Sequence, residues 1–476
     1  VLRKITLGVK KQQVFDVWIK HNLLDKNNFA FMPGKFISDP LLIKRLLLED
    51  AMWLEKQLVT LDVDYKAAFD KVPYFIKEMS LRRLGVPEKG LRMWCAHDQT
   101  REQHVRTAYG LTAGVKPRCG AFGQGAEESP MGFVSLMCWK CDYLFENEED
   151  IAPYLYDATE TTKIPLSKTL FCDDSSYTCS TIAGAQKLLN KIGLFAAAAG
   201  MELNIKKTFY VKMNISDENT TLTIPMPKFD EQIFMATGKY HYEWPIHHAQ
   251  IKEESVHFEW RHLGNYQSNS GSSDELLDQL HRIVNDNLKY MCSKRISPDG
   301  AMQGYNLKIL KQILYKTKHG NLTRIELTRL QRKINAKLKR KLKVALTVPD
   351  DVYFGHPITG GLSVPHLWDE TNLEKCLILQ TSLMDEKLDI YNVMQGGILR
   401  LRQTCCSTYI PLATAWNGLV KLDEASWMTS IWEWMTEHDL TISVPLLPPE
   451  RPFENDICVM DHFVAHHLSE LDETDV

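Results

Sequence analysis

From residue 58 to 65 the chain reads Leu-Val-Thr-Leu-Asp-Val-Asp-Tyr, apolar and β-branched residues interrupted by two acids, which predicts a strand. A second such run, Thr169-Leu-Phe-Cys-Asp173-Asp174-Ser-Ser176, predicts a tight β-hairpin with two adjacent acids at its tip. Residues 1–57 read as short strands and then a helix, with a Pro33-Gly34 turn and an apolar pattern through Leu41, Leu42, Ile43, Leu46, Leu47 and Leu48. A helix near Pro73 to Leu84 is expected to end at Gly85. After a further helix, Gln103 to Lys116 alternates as an extended ribbon, and a Gly/Gln turn at 120–125 leads into a long apolar helix from about Ser129 to Phe145. Beyond the hairpin, a helix from Ile182 to Ala199 has Gly200 as a left-handed cap, followed by strands around Ile205 to Met213 and Thr220 to Ile224. Residues 225–257 read as an irregular insertion, Ser268 to Ser273 as a linker, 274–345 as basic helices and 366–476 as a Trp-rich helical region. The order strand, helix, helix, hairpin, helix, strand predicts an α+β layer whose antiparallel sheet bears the acids while helices cover its back.

Composition narrows the class without naming a function. At 476 residues, two to four subdomains are expected, and 44% hydrophobic residues mark an ordinary globular chain. No apolar run is long enough to cross a bilayer. The start, Val-Leu-Arg-Lys, carries neither an initiator Met nor a signal pattern, so a fragment or processed product is expected. Eleven cysteines without a regular framework fit a reducing cytoplasm or nucleus, and Cys138-Trp-Lys-Cys141 reads as a buried structural pair inside a helix. His247-His248 and His466-His467 have no partners at ligand spacing and read as surface residues. The net charge of −4 hides an uneven distribution. From Arg282 to Lys343 there are 17 Lys plus Arg against three acids, a density that suits a phosphate-contacting surface as well as a solvated helix face.

Two side-by-side carboxylates repel each other unless a cation holds them, so Asp173 and Asp174 call for a divalent metal. With the acids of residues 61–65, at least three carboxylates can reach one site, the minimum for two-metal phosphoryl transfer. Asp62 and Asp64 stand two apart on one strand and so face the same side.

Four segments then fall in the order of reverse transcriptase palm motifs: Asp64-Tyr-Lys-Ala-Ala-Phe69-Asp70, Gly123-Gln124-Gly125-Ala-Glu-Glu-Ser129-Pro130, Phe171-Cys-Asp173-Asp174, and Gly200-Met-Glu-Leu-Asn204-Ile-Lys-Lys207-Thr208. The chain resembles the type encoded by non-LTR, LINE-like retrotransposons. Arg3-Lys-Ile-Thr-Leu and Asn28-Phe-Ala-Phe31-Met-Pro-Gly34 resemble fingers motifs, Trp260-Arg-His-Leu263-Gly264 resembles the primer-grip turn, and Gly360-Gly361-Leu-Ser-Val-Pro365 a segment beyond the thumb. Departures are Ala121 in place of a Gly, the charges of Glu127-Glu128, and Lys4 in place of a Pro.

The resemblance implies a right-hand polymerase: truncated fingers at 1–57, palm at 58–84, fingers again at 85–118, palm at 119–267 with an insertion at 225–257, a basic helical thumb at 274–350, and a helical C-terminal region at 366–476. It implies two Mg²⁺ ions, with Mn²⁺ as the substitute, on Asp64, Asp173 and Asp174, the Tyr65 carbonyl being a further ligand. The family pattern selects Asp64 over Asp62, which is then an edge or solvent-facing acid. Phe69 would exclude a 2′-hydroxyl or else pack strand on helix, Gln124 and Gly125 would approach the base pair, and Arg3 would brace the triphosphate. Lys207 would serve the leaving pyrophosphate or, with Lys206, form a solvated pair. Leu263 and Gly264 would grip the primer, and Asp70 has the alternative of capping the next helix. The implied activity is RNA-directed DNA polymerisation, with template RNA, DNA primer and deoxynucleoside triphosphates as partners and a separate endonuclease for target cleavage. A catalytically silent RNA-binding scaffold is the alternative, and an RNA-making polymerase conflicts with Phe69.

Overall fold

Leu58–Val63 (β1) is buried along its whole length because strands flank it on both sides. The computed structural model describes residues 2–100, 102, 104, 106–114, 122, 128–159, 161–216, 220–227, 246–384, 389–404 and 426–442, apart from the side chains of 2–7 and 96–100. It is mixed α+β, and the chain divides into two units. The first comprises residues 1–40, 55–155 and 165–256, and the second 41–54, 156–164 and 257–476.

The α-helices described up to residue 200 are Leu2–Lys20 (α1), Ser38–Trp53 (α2), Ala68–Lys71 (α3), Tyr74–Arg83 (α4), Glu88–Thr100 (α5), Ser129–Leu144 (α6) and Ile182–Ala198 (α7). The strands after β1 are Tyr65–Lys66 (β2), Arg106–Thr107 (β3), Gly110–Leu111 (β4), Tyr154–Asp157 (β5), Lys163–Leu166 (β6), Lys168–Phe171 (β7), Asp174–Cys179 (β8), Glu202–Leu203 (β9), Phe209–Met213 (β10), Thr223–Met226 (β11), His247–Gln250 (β12) and Lys252–Glu254 (β13). One five-stranded sheet runs β13-β10-β1-β8-β7, antiparallel except for the β10–β13 pair. Asn28 adds a parallel bridge to Leu170 at the β7 edge.

Period-two alternation decides which side chains meet the helices. Val59, Leu61 and Val63 of β1, with Tyr177 and Cys179 of β8, join a buried core with Phe133, Leu136 and Met137 of α6 and Leu188, Leu189 and Ile192 of α7. Pro130 opens α6, where its missing N–H costs nothing. Thr181 caps α7 by accepting from the Gly184 N–H, and Gly200, at φ +66°, ends it as expected. Cys138 and Cys141 are buried, as the apolar spacing of α6 requires.

Several expectations fail for tertiary reasons. Residues 2–20 form one helix, not short strands: Phe15 and Trp18, three apart, bury against Leu81, Leu84 and Trp94, and the Trp18 indole donates to the Leu84 carbonyl at 2.9 Å. That packing outweighs the local preference of a β-branched start. The 225–257 segment is not wholly irregular, since β11 pairs with β12 and β13 extends the main sheet, while 228–245 lies outside the described residues. His247 and His248 are exposed on β12, and His466-His467 fall outside the described residues.

In the second unit, Glu259–His262 (β14) and Asn265–Ser268 (β15) form a hairpin. The Ser-rich stretch after it is no linker: Ser268 and Asn269 are fully buried, and the Ser268 and Ser270 hydroxyls bond each other at 2.9 Å. The Glu259 carboxylate then accepts from the Asp274 and Glu275 N–H groups at the start of helix Asp274–Ser293. Basic helices follow as expected, with a π-helical turn at Tyr305–Leu310 and a full capping box on Arg324–Lys341. Leu367–Ser382, Asp389–Thr404 and Trp427–Glu437 account for the described C-terminal region. Among the described residues, no helix is long and apolar enough to cross a membrane.

Candidate active site

Register in the main sheet brings the sequence-predicted acids together. In β1 and β8, Asp62 faces Ser176 and Val63 faces Ser175, so the next opposed positions are Asp64 and Asp174. On the other flank Asp62 faces Phe209, which carries Asp64 toward Lys207. The Lys207 ammonium, 72% exposed, lies 4.0 Å from an Asp64 carboxylate oxygen. At the tip, Phe171 pairs with Asp174, leaving Cys172 and Asp173 as a two-residue turn. Cys172 adopts φ +57°, a left-handed conformation that costs a non-glycine residue free energy and is retained only where the surroundings enforce it.

Asp64 is oriented by residues that follow α7 in the chain. Asn204 donates its side-chain amide to Asp64 at 2.7 Å and its backbone N–H to the Asp64 carbonyl at 2.9 Å. The Asp64 N–H donates to the buried Thr208 hydroxyl at 3.3 Å. The fourth motif thus holds the acid of the first. Asn204 and Thr208 were visible in the sequence only as motif letters, and nothing local signals a partner some 140 residues away.

Asp62 is a correction. It is neither at an edge nor solvent-facing but 8% exposed on the central strand, because β8 and β10 both pair with β1. Asp70 is a second correction: it lies exposed inside α3, and the N-cap position of α4 is Pro73, with no side-chain cap.

Crowding is visible in the electrostatics. Burial, then the charges of Asp173, Asp64 and Asp62, pushes the Asp174 carboxyl up to about 6. Burial also raises Asp173, and Asp64 adds to the shift. These are hard oxygen donors carrying excess negative charge, which suits Mg²⁺. Among the described residues, no three His, Cys, Asp or Glu side chains converge as a ready-made metal cage. Mg²⁺ commonly takes only one or two carboxylates, completing its shell with water and substrate phosphate, so the donor set fits such a shared site.

The remaining sequence-predicted residues are placed unequally. Tyr65 is buried in β2, pairing with Leu203, with its hydroxyl unpartnered. Phe69, on a short helix entered through Ala67 at φ +47°, stacks on Phe133 with ring centroids 4.1 Å apart and meets Phe122 edge-on at 6.4 Å. Gln124 and Gly125 lie outside the described residues, and of Arg3 only the backbone, within α1, is described. In the second unit, Leu263 (φ +49°) and Gly264 (φ +79°) form the β14–β15 turn. Their carbonyls accept from the Tyr315 hydroxyl at 2.6 Å and the Lys316 ammonium at 2.7 Å. Beside these donors an open groove of about 460 Å³ is lined by Lys308, Lys311, Gln312, Tyr315 and Lys316 among others.

No protein-family model and no curated protein matches the chain. Among solved structures it is similar to apo telomerase from Candida tropicalis, with TM-score 0.35 and 12% identity over 83% of this chain and 61% of that one. Telomerase from Candida tropicalis in complex with the TWJ fragment of telomeric RNA gives TM-score 0.33 and 14% identity over 81% of this chain and 56% of that one. Telomerase from Candida albicans in complex with the TWJ fragment gives 0.32 and 10% over 85% and 59%. The chain therefore spans less than two-thirds of the length of the solved chains it matches.

Proposed function

We propose that the chain is a reverse transcriptase of the non-LTR retrotransposon type, extending a DNA primer on an RNA template. The observation that carries this reading is the register that sets Asp64 opposite Asp174 and beside Lys207, uniting three separated motifs at one end of the sheet. Asp64, Asp173 and Asp174 would hold two Mg²⁺ ions, which when bound lower the pKa of the primer 3′-hydroxyl and offset the triphosphate charge. Asn204 fixes Asp64 so that this oxygen geometry is preset. Lys207, on the exposed flank of Asp64, would neutralise or protonate the departing pyrophosphate. Phe69, held against Phe133, would filter out a ribose. Leu263 and Gly264 would grip the primer, and the basic helices would form a thumb following the phosphates of the hybrid. Deoxynucleoside triphosphates are the substrates, with a separate endonuclease preparing the target.

Mg²⁺-dependent incorporation of dTTP on poly(rA)/oligo(dT), abolished by Asp173→Asn, tests this function. A second reading is an RNA-binding scaffold without turnover. RNA binding that weakens with salt, survives Asp64→Ala and Asp173→Asn, and comes with no incorporation under Mg²⁺ or Mn²⁺ would favour it.

A further inference from the structure

The acid-bearing hairpin rests on a lysine that the polymerase chemistry does not use. Lys140, on α6, is fully buried, and its ammonium donates to the Ser175 hydroxyl at 3.0 Å. Ser175, itself 2% exposed, follows Asp174 directly and donates onward to the Asp173 carbonyl at 3.5 Å. One hydroxyl thus connects a core helix to the turn that presents both acids. We propose that Lys140 is a positioning residue, bracing the hairpin through Ser175 so that Asp173 and Asp174 hold their places against mutual repulsion.

Three observations support the brace. Burying a lysine is costly, and the hydrogen bond of this one goes to a neutral hydroxyl and not to a carboxylate, so stability alone would be better served by Met or Leu. The amine instead sits over the rings of Tyr65 at 4.6 Å and Tyr177 at 5.4 Å, which recovers part of that cost and fixes its height in the core. The turn it reaches is under load: Cys172 is left-handed, and the acids repel across the strands. Burial draws the Lys140 amine down to about 7 while Asp173 pulls it back up, and the amine donates a hydrogen bond in either state.

The kinetic consequence rests on the polymerase reading, whereas the contact rests on the fold. The test compares Lys140→Met, Ser175→Ala, the double variant and Ser175→Thr in the full chain, by primer extension and by Mn²⁺ titration followed by electron paramagnetic resonance. Each single loss is expected to lower kcat about tenfold with KM for dTTP within about twofold, and to weaken Mn²⁺ binding about three- to tenfold. The double variant is expected to be no worse than Lys140→Met, because the two residues act as one unit. Ser175→Thr, which keeps the hydroxyl on a strand that favours β-branched residues, is expected to behave as the parent protein. Losses that multiply would overturn the brace, as would unchanged Mn²⁺ affinity. Tighter Mn²⁺ binding in Lys140→Met would also overturn it, since that is the sign for deletion of a merely repelling charge. If Lys140→Met does not fold, the two Ser175 variants decide. A parent protein that binds Mn²⁺ with these shifts but extends no primer sinks the polymerase reading and leaves the brace standing.

Discussion

Replacing Asp174 with Asn should stabilise the metal-free protein while destroying its proposed activity. In the folded chain the Asp174 carboxyl rises from 3.8 to about 6, chiefly through burial and then through the neighbouring acids. A folded pKa above the unfolded one means that ionising this group opposes folding. The cost is absent below about pH 4, grows as pH rises toward 6, and is complete above that. Two units correspond to about 3 kcal/mol as a ceiling, and solvent access to the partly exposed hairpin tip reduces this to about 1–1.5 kcal/mol. For a unit of some 150–250 residues that is a rise of about 3–5 °C in Tm. Asn keeps the shape and removes the charge. Calorimetric unfolding in EDTA is expected to show the gain at pH 7.5 and none at pH 4, with added Mg²⁺ raising the parent's Tm more than the variant's. No gain at pH 7.5, or an equal gain at both pH values, would refute the crowding of charge at this tip.

The other tests probe the scaffold. Gly193→Ala on α7 should gain about 1 kcal/mol from helix propensity alone, but a β carbon there would collide with the Pro225 carbonyl. A net loss of about 1–3 kcal/mol by urea unfolding is therefore expected, and a gain would contradict the close α7–β11 packing. Arg400→Met removes the guanidinium bonded to Asp50 and to the Tyr156 hydroxyl in the second unit. Because Asp50 is fully buried, a loss of about 3–5 kcal/mol is expected, and less than about 1 would show the pair to be solvated. Asn204→Ala frees Asp64 and should cut primer extension about tenfold or more for a stability loss near 1 kcal/mol; unchanged extension would remove Asn204 from the site.

The acid hairpin and β1 were legible in the sequence because their signals are local: alternation, β-branched residues, and two charges between apolar runs. Gly85 and Gly200 likewise marked helix ends through their own backbone freedom, at φ +76° and +66°. What failed was whatever depends on distant partners. The first helix owes its form to Leu81, Leu84 and Trp94, and Asp62 is buried because of strand order, which alternation within β1 cannot encode. Ser268 to Ser273 has the composition of a linker, yet Ser268 and Asn269 are fully buried and the Ser268 and Ser270 hydroxyls bond each other. The candidate site divides in the same way: the motifs gave Asp64, Asp173, Asp174 and Lys207, whereas the supports, Asn204, Thr208 and Lys140, became visible only through contacts across the fold.

Single-nucleotide extension of a 5′-labelled DNA primer on an RNA template tests the proposed activity most directly. The parent protein is expected to add dTTP opposite adenine when Mg²⁺ is present, to discriminate against UTP, and to stop when EDTA is added. Asp173→Asn should add nothing while remaining as folded as the parent. Extension that persists undiminished in Asp173→Asn, or a folded parent that binds the template and yields no product with Mg²⁺ or Mn²⁺, would contradict the assignment of these acids to catalysis.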